Sequence, residues 1–435
     1  MNIAYVTAGA AGMYCGSCLH DNALASALIR EGNEVSLIPT YTPIRTDEQD
    51  VSIDQVFYGA INVYLEQKSS IFRYTPRFLD RWLRHPKLLN WISGRQSSVD
   101  AKQLGELTLS VLQGEEGNQV KELDRLVDWL GNDLKPDIVN LTNTMFLGMA
   151  RRIRERLDIP VVCTVQGEDI FYDDLVEPYK GRILETLRER VRDVDGLLST
   201  SDYYVEPMAQ LLHVDRGEID VVPLGIKMDE FQSAQPRAVD QPFTLGYLAR
   251  ICPEKGLHLL IEAFRRWTER VGNDVPLRLR IAGYQGERDR AYADGLQAQI
   301  AEMGLGDRID WVGEVDRDQK LDFLSSLHLF CVPTVYREPK GLSIIEAVAH
   351  AVPVVQPAHG AFPEMLNEFG GGVLVEPNQI DALVDQFEAL RNDDAARLQL
   401  AREGSEKVRQ LRNDRTMAQR TIQFYDRVIQ GYRDA

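Results

Sequence analysis

Two glutamates eight residues apart enclose a glycine-containing turn towards the end of the chain. Glu338 and Glu346 are the ends of "EPKGLSIIE", in which Gly341 is predicted to start a helix that carries Glu346 about one turn inside it. Backbone N–H groups at a helix start have no partner within the helix, so they can hold phosphate or sugar oxygens. These groups belong to Lys340, Gly341, Leu342 and Ser343. A carboxylate repels phosphate, so Glu346 suits the vicinal hydroxyls of a ribose or hexose. An ordinary acidic residue favoured by the helix dipole is the alternative.

A pair of cations stands upstream in "LARICPEKGLHLLIEAF". Arg250 and Lys255 are predicted to lie on a loop between a strand and a helix, where two cations and the positive end of the helix converge. Such a place suits a diphosphate. Two solvated surface cations in a loop are the alternative.

An early glycine-rich loop, "AGAAGMYCGSC" at 8–18, follows the first predicted strand and precedes a helix predicted to start at Leu19, and it holds two cysteines three positions apart. The glycines at positions 9, 12 and 16 let the loop turn sharply and bring N–H groups close to an anion or sugar. The spacing matches neither a dinucleotide fingerprint nor a P-loop. For Cys15 and Cys18 we favour a packing role. A zinc site completed by His20 and a regulatory dithiol are the alternatives, and the other three cysteines supply no second pair.

The elements that must position these residues follow a repeated β/α alternation. Short β-branched runs alternate with amphipathic stretches up to a polar, proline-punctuated segment at 227–242, after which the pattern restarts. This alternation predicts an α/β protein with parallel sheets covered on both faces, and ligand chemistry at the carboxyl ends of the strands. The predicted parts are a first domain at 1–235 with a helical insertion at about 55–135, a second domain at 236–411, and a terminal helix at 412–435.

Composition narrows the classes of partner. The chain has 435 residues, of which 49 are Lys or Arg and 66 are Asp or Glu, for a net charge of −17. This charge repels nucleic acid at long range, so we expect no nucleic-acid partner. Five thinly spread cysteines suit a reducing cytoplasm. We expect neither a signal peptide nor a membrane-spanning helix.

The ordered set of motifs resembles a known family over most of the chain. "EPKGLSIIEA" with "AVPVV" after it is similar to the E-x7-E region of the retaining glycosyltransferases with two Rossmann domains, in particular the large family 4 that includes sucrose-synthase-like and mannosyltransferase-like enzymes. Further motifs fit in order. They are "PDIVNLT", "VVPLGIKMDEF", "LARICPEKG", "LRLRIAG", "RIDWVGEV" and "FPEMLNEFGGGVLVEP". The resemblance implies the GT-B fold, in which two Rossmann-like parallel-sheet domains face each other across a cleft.

The resemblance also implies residue roles. Arg250 and Lys255 would grip the donor diphosphate, Glu346 the nucleotide ribose, and Glu338 with the "KGLS" amides the donor sugar. Gly16 would be the tight-loop glycine of the acceptor domain that faces the same diphosphate. The family needs no metal ion and works by same-face attack with retention. We therefore expect no cofactor besides the nucleotide-diphosphate sugar, with UDP-sugar favoured over GDP- or ADP-sugar, and no protein nucleophile.

Two motifs depart from the family pattern. In "TVQGEDIF", Gln166 stands where a histidine is usual, and in "PLGIK" Leu224 and Lys227 replace the common Asn and Asp. Gln166 can still hydrogen-bond a sugar, and Glu168 and Asp169 are candidate partners for acceptor hydroxyls, although carboxylates in a loop are more often simply solvated.

One segment does not follow from the core pattern. Residues 68–95 carry seven Lys or Arg against the single acid Asp80, with interleaved aromatics. A packed helical hairpin whose arginines face water is the interpretation we favour. Peripheral contact with the inner, anionic membrane face is the alternative, and lining of the acceptor site is another.

The resemblance thus implies a metal-independent, retaining hexosyltransferase, in which Glu338, Arg250 and Lys255 carry the chemistry and a hydroxyl of a glycan, lipid-linked or small molecule is the acceptor. A nucleotide-sugar 2-epimerase is one alternative. A nucleotide-sugar-binding protein with impaired catalysis is the other, and the replacement at Gln166 is its basis.

Overall fold

The computed structural model describes residues 1–9, 15–59, 63, 66–67, 101–238, 242–272 and 274–434. By their internal contacts the residues form two compact units. The first combines Met1–Pro223 with Ala418–Ala435, and the second is Leu224–Met417. The first division falls at 223/224, twelve residues before the boundary that the sequence predicts at 235. The basic segment 68–95 lies outside the described residues.

The first unit contains a six-stranded parallel sheet. Its strands are β1 (Asn2–Ala8), β2 (Glu34–Thr40), β3 (Ile138–Leu141), β4 (Val161–Val165), β5 (Gly196–Ser199) and β6 (Ile219–Val221), in the order β2-β1-β3-β4-β5-β6. Each neighbouring pair runs parallel, with Asn2 beside Glu34 and Ile3 beside Ile138. Residues 3–6 of β1 are fully buried, as expected for a strand covered on both faces.

Helices cover this sheet. They are α1 (Gly16–Arg30), α2 (Ala101–Leu112), α3 (Val120–Trp129), α4 (Ala150–Leu157), α5 (Asp169–Asp173), α6 (Tyr179–Arg190) and α7 (Asp202–Leu212). The last helix, α15 (Asp414–Asp434), brings its C-terminal part back into the first unit. There Phe424 packs so closely on Gly196 that a Cβ at Gly196 would lie 2.9 Å from the ring.

The second unit repeats the architecture. Its strands are β7 (Phe243–Leu248), β8 (Leu277–Ala282), β9 (Ile309–Gly313), β10 (Leu329–Phe330), β11 (Val354–Pro357) and β12 (Gly372–Val375), in the order β12-β11-β10-β7-β8-β9. All of these pairs are parallel. The helices are α8 (Leu257–Val271), α9 (Arg290–Glu302), α10 (Arg317–Ser325), α11 (Leu342–Ala349), α12 (Phe362–Phe369), α13 (Ile380–Asn392) and α14 (Asp394–Leu411).

Two parallel six-stranded sheets with helical crossovers confirm the predicted α/β class. The start of the first helix differs from the predicted one. Helix α1 begins at Gly16, three residues before the predicted start, because Cys15 is extended (φ −118°, ψ 128°) and serves as the N-cap. Within the described ranges, no helix combines the length and apolar character that a membrane crossing requires.

Candidate functional site

A charged cluster forms at the carboxyl edge of the second sheet. The Lys255 Nζ lies 2.5 Å from Glu338 Oε2 and 2.7 Å from the Tyr336 hydroxyl, which also donates to Glu338 Oε2. The ammonium sits 4.9 Å from the centre of the Tyr336 ring, within cation–π range. Burial by itself raises the pKa of Glu338, but the Lys255 charge and the two hydrogen bonds lower that pKa to about 2. The carboxylate is therefore ionised at neutral pH.

Two glycines with positive φ set the backbone around this cluster. Gly256 (φ 70°) ends the short turn Pro253–Lys255, and a Cβ there would lie 1.8 Å from the Pro333 carbonyl oxygen. Gly341 (φ 64°) caps α11, and a Cβ there would lie 2.7 Å from the Met365 sulfur. Close approach and left-handed backbone both require glycine here. The glycines thus fix the turn that carries Lys255 and the start of α11.

The amides at the start of α11 already have one internal ligand. The backbone N–H groups of Lys340 and Gly341 lie 3.3 and 3.4 Å from Glu338 Oε1, so Glu338 bridges the Lys255 ammonium and the positive end of the helix. Leu342 and Ser343 form the first turn of α11, as the sequence predicts. A bound sugar or phosphate would meet a carboxylate, an ammonium and a helix terminus together.

Arg250 is on the same loop as Lys255 but makes different contacts. Its Nε lies 3.2 Å from the Cys252 sulfur and its Nη2 lies 3.9 Å from Glu254, and two fifths of its side chain is exposed. The side chain is thus held near Cys252 and Glu254 while part of it stays open to solvent. This arrangement leaves Arg250 able to receive an anion.

Glu346 lies inside α11 and is almost completely buried. Its Oε1 accepts from Lys320 Nζ at 2.5 Å, and the Arg317 guanidinium is 3.9 Å from the same oxygen. Lys320 is also buried, and it belongs to α10. Only one carboxylate oxygen of Glu346 is therefore engaged by a cation.

The first unit has its own buried polar cluster at the carboxyl edge of its sheet. Asp21 in α1 is fully buried and accepts hydrogen bonds from Tyr5, Thr7, Thr142 and Gln166. Burial opposes ionisation of Asp21, but its hydrogen bond with His20 and the hydroxyl donors bring the pKa below the ordinary value. A buried carboxylate is acceptable only with such a set of donors.

The three residues predicted on the acceptor side are placed differently from one another. The Gln166 amide donates to Asp21 Oδ1 at 2.8 Å and to the Thr142 carbonyl at 3.1 Å, while its own oxygen is buried without a partner among the described residues. Glu168 is buried and accepts from the Thr144 and Gln166 backbones, although burial still raises its pKa. Asp169 accepts from the Tyr204 hydroxyl at 2.7 Å. Neither carboxylate is simply solvated.

At the start of α1, Gly16 is the first helical residue. The Cys18 thiol donates to the Ala8 carbonyl at 2.9 Å, which ties the helix to the end of β1. No disulfide is present among the five cysteines. In the part of the chain that the structure describes, no three His, Cys, Asp or Glu side chains are grouped as metal ligands.

Sequence reasoning missed three residues of these clusters: Tyr336, Lys320 and Asp21. Tyr336 could have been found from its position two residues before Glu338. Lys320 and Asp21 gave no such signal, because Lys320 reaches Glu346 across 26 residues of sequence and Asp21 reaches Gln166 across 145.

Comparison with known families matches both units. Residues 22–225 match the glycosyl transferase 4-like domain, and residues 228–407 match the glycosyl transferases group 1 domain. Together the two matches cover most of the chain. It therefore belongs to the glycosyltransferases built from a 4-like domain followed by a group 1 domain.

The relatives of known name are less than 30% identical to this chain in sequence. The chain is 27% identical over 295 residues to the D-inositol 3-phosphate glycosyltransferase of Mycolicibacterium smegmatis, an alignment that covers 64% of each protein. For the next two relatives of that name, the chain spans 61% and 60% of their length.

Solved structures show the same fold over the whole chain. The sucrose-phosphate synthase of Thermosynechococcus elongatus superposes with a TM-score of 0.72 at 17% identity and 99% coverage of both chains. Anabaena HepE in complex with UDP gives 0.66 at 15% identity, covering 98% of this chain and 100% of that one. These neighbours confirm that the fold is GT-B.

Proposed function

We propose that this protein is a retaining, metal-independent glycosyltransferase that moves a hexose from a nucleotide-diphosphate sugar to a hydroxyl acceptor. The observation that carries the proposal is the Lys255–Tyr336–Glu338 cluster at the positive end of α11, inside the group 1 domain. The D-inositol 3-phosphate glycosyltransferases among its relatives support glycosyl transfer, and the UDP bound to Anabaena HepE supports a UDP-sugar as the first donor to test. A cytoplasmic location is part of the proposal.

The cluster suits departure of a diphosphate. Breaking a sugar–phosphate bond builds negative charge on the leaving oxygens, and Lys255, Arg250 and the helix terminus would stabilise that charge more in the transition state than before it. Glu338 holds the Lys255 ammonium in place before any ligand arrives, so little reorganisation is needed. The same carboxylate, ionised and acceptor-only, would receive the hydroxyls of the donor sugar.

On the acceptor side, the proposal assigns the unpartnered Gln166 oxygen to a hydroxyl. Both amide hydrogens of Gln166 have acceptors in Asp21 and Thr142, so the remaining oxygen can only accept. A hydroxyl group is the matching donor. Glu168, held by the backbone and hydroxyl donors of Thr144, would shape this edge rather than contact substrate.

The same observation supports a second candidate, a nucleotide-sugar-binding protein that does not transfer. Gln166 cannot ionise, and its amide is committed to Asp21, so the position supplies no acid or base. Donor turnover distinguishes the two candidates.

The test is turnover of UDP-glucose, GDP-mannose and ADP-glucose by the purified protein, with and without EDTA. We expect release of one nucleoside diphosphate, unaffected by EDTA, and a product whose anomeric configuration, followed by NMR, matches the donor. Lys255→Met should abolish release. Binding of a donor without release, in the presence of a panel of sugars and polyols, would favour the non-transferring protein. An inverted product would contradict retention.

A further inference from the structure

The carboxylate of Glu346 is held on one side only. Its Oε1 is engaged by the Lys320 ammonium at 2.5 Å, and Arg317 stands farther away at 3.9 Å. Its Oε2 has no hydrogen-bond partner among the described residues. The side chain of Glu346 is 7% exposed and that of Lys320 is 8% exposed, so this pair is removed from water.

The Lys320–Glu346 ion pair is buried, and it leaves one carboxylate oxygen without a cation. A carboxylate with so little solvent is unfavourable without a cation, and a cation that contacts only one oxygen leaves the other acceptor unused. Arg317 contributes less to neutralising Glu346, because its guanidinium is 2.6 Å from Glu230 and 3.9 Å from Glu346 Oε1. Lys320 is therefore the group that neutralises Glu346 and fixes which oxygen remains open.

We infer that Lys320 is a positioning residue that locks Glu346 Oε1 and presents Oε2 alone to the ribose hydroxyls of the donor nucleotide. This inference rests on the proposed function, because it takes Glu346 to be the ribose partner. Oε2 has lone pairs enough to accept from both vicinal hydroxyls of one ribose. Lys320 comes from α10 and Glu346 from α11, so the pair also joins these two helices.

The inference predicts how ribose recognition depends on Lys320. Binding of UDP, 2′-deoxy-UDP and 3′-deoxy-UDP is measured by calorimetry for the natural protein and its variants, with the corresponding GDP or ADP series if that base binds instead. Loss of a hydroxyl should weaken binding to the natural protein about tenfold or more, as for a hydrogen bond to a charged group. In Lys320→Met, UDP should bind more weakly and the deoxy compounds should bind about as well as UDP.

Two further variants separate positioning from general support of the fold. Lys320→Arg keeps the cation and should keep the discrimination between UDP and its deoxy forms. Glu346→Gln replaces the charged acceptor with a neutral amide. If Lys320 holds the amide oxygen, the NH₂ group turned towards the ribose can only donate to a hydroxyl oxygen, which is a weaker, neutral hydrogen bond, so discrimination should shrink without vanishing. A purely structural role of Lys320 would leave the discrimination the same in Lys320→Met, Lys320→Arg and the natural protein.

The outcomes are distinguishable. If the natural protein binds no nucleoside diphosphate, the proposed function and this inference fall together. If it binds and discriminates, and Lys320→Met discriminates equally, the inference is overturned and the proposed function stands. Circular dichroism checks folding, and Lys320→Leu, which likewise removes the donor, replaces Lys320→Met if that variant does not fold. Retained discrimination in Lys320→Leu would likewise overturn the inference.

Discussion

The Glu338 side chain connects the charged groups of the second unit to the start of α11. Its two oxygens meet different groups, with Lys255 and Tyr336 at Oε2 and the Lys340 and Gly341 amides at Oε1. Because both the cation and the helix terminus are already oriented, the proposed reaction would find them in place when negative charge develops on the leaving group. The Tyr336 hydroxyl is the smallest part that can be removed without disturbing the charges.

Tyr336→Phe should destabilise the protein by about 1–3 kcal/mol, because one hydroxyl that bonds two charged groups is lost. It should weaken nucleotide binding less than Lys255→Met does. Thermal unfolding and calorimetric titration with UDP measure both effects. Tyr284→Phe is the control, since the structure gives the Tyr284 hydroxyl no hydrogen bond among the described residues. Equal losses in the two variants would contradict the role of Tyr336.

Helix α11 is the element on which the site depends. It is short, it begins at a left-handed glycine, and it carries Glu346 in its second turn. Its N-terminal position relative to Lys255 is fixed by Gly341, where a side chain would strain the backbone and press on Met365. A small change at this glycine should therefore be felt in binding as well as in stability.

Gly341→Ala should lower the free energy of unfolding by about 1–3 kcal/mol through a strained positive φ and close contact with Met365. It should also weaken nucleotide binding, because the start of α11 must shift. Gly295→Ala is the control. Gly295 is exposed within α9 with nothing close to its missing Cβ, so alanine should be neutral or stabilising by up to about 1 kcal/mol. Chemical denaturation measures the free energy of unfolding of both variants, and equal values would contradict the role of Gly341.

Local patterns predicted the elements well and the contacts between them poorly. Alternating apolar runs indicated both sheets, because the periodicity of strands and helices depends on residues that are close together in the sequence. Gly341 was predicted at the start of its helix and lies there. The predicted start of α1 was wrong by three residues. The helix begins directly after Cys15, whose extended backbone conformation the residue types did not indicate. Lys320 and Asp21 were missed because their partners are brought together only by tertiary structure. The assigned roles of the site residues stay predictions.

For the whole molecule, the return of the chain to the first unit has an energetic consequence. The C-terminal part of α15 buries Phe424 and Tyr425 in the first unit, although the residues just before it belong to the second. The last turns of the chain are thus part of the core of the first unit.

Phe424→Ala should destabilise the first unit by about 3–5 kcal/mol, because a buried aromatic is removed from a packed site against Gly196. Differential scanning calorimetry should show the loss. Gln423→Ala, one residue earlier and exposed, should change stability by less than about 0.5 kcal/mol. A Phe424→Ala protein as stable as Gln423→Ala would show that α15 contributes nothing to the first unit.

Acid should weaken the second unit through its histidines. Burial lowers the pKa of His258 and His359, and burial together with Arg409 lowers the pKa of His350 to about 4. A histidine whose pKa is lowered by folding favours the folded state above its ordinary pKa of about 6.5 and loses that contribution as the pH falls towards 4. Stability should therefore decline across this window, and His350→Gln should make the decline shallower. Urea denaturation at several pH values tests this, and an unchanged slope in the variant would contradict it.

The central claim is that the Lys255–Glu338 cluster binds a nucleoside diphosphate, and thermal unfolding with UDP, GDP and ADP tests it most directly. At a ligand concentration about 100 times the dissociation constant, binding should stabilise the natural protein by about 2.7 kcal/mol. We expect one of the three nucleotides to raise the melting temperature, with no effect in Lys255→Met. If none of them does so, or if the same nucleotide stabilises Lys255→Met equally, the account of this site is contradicted.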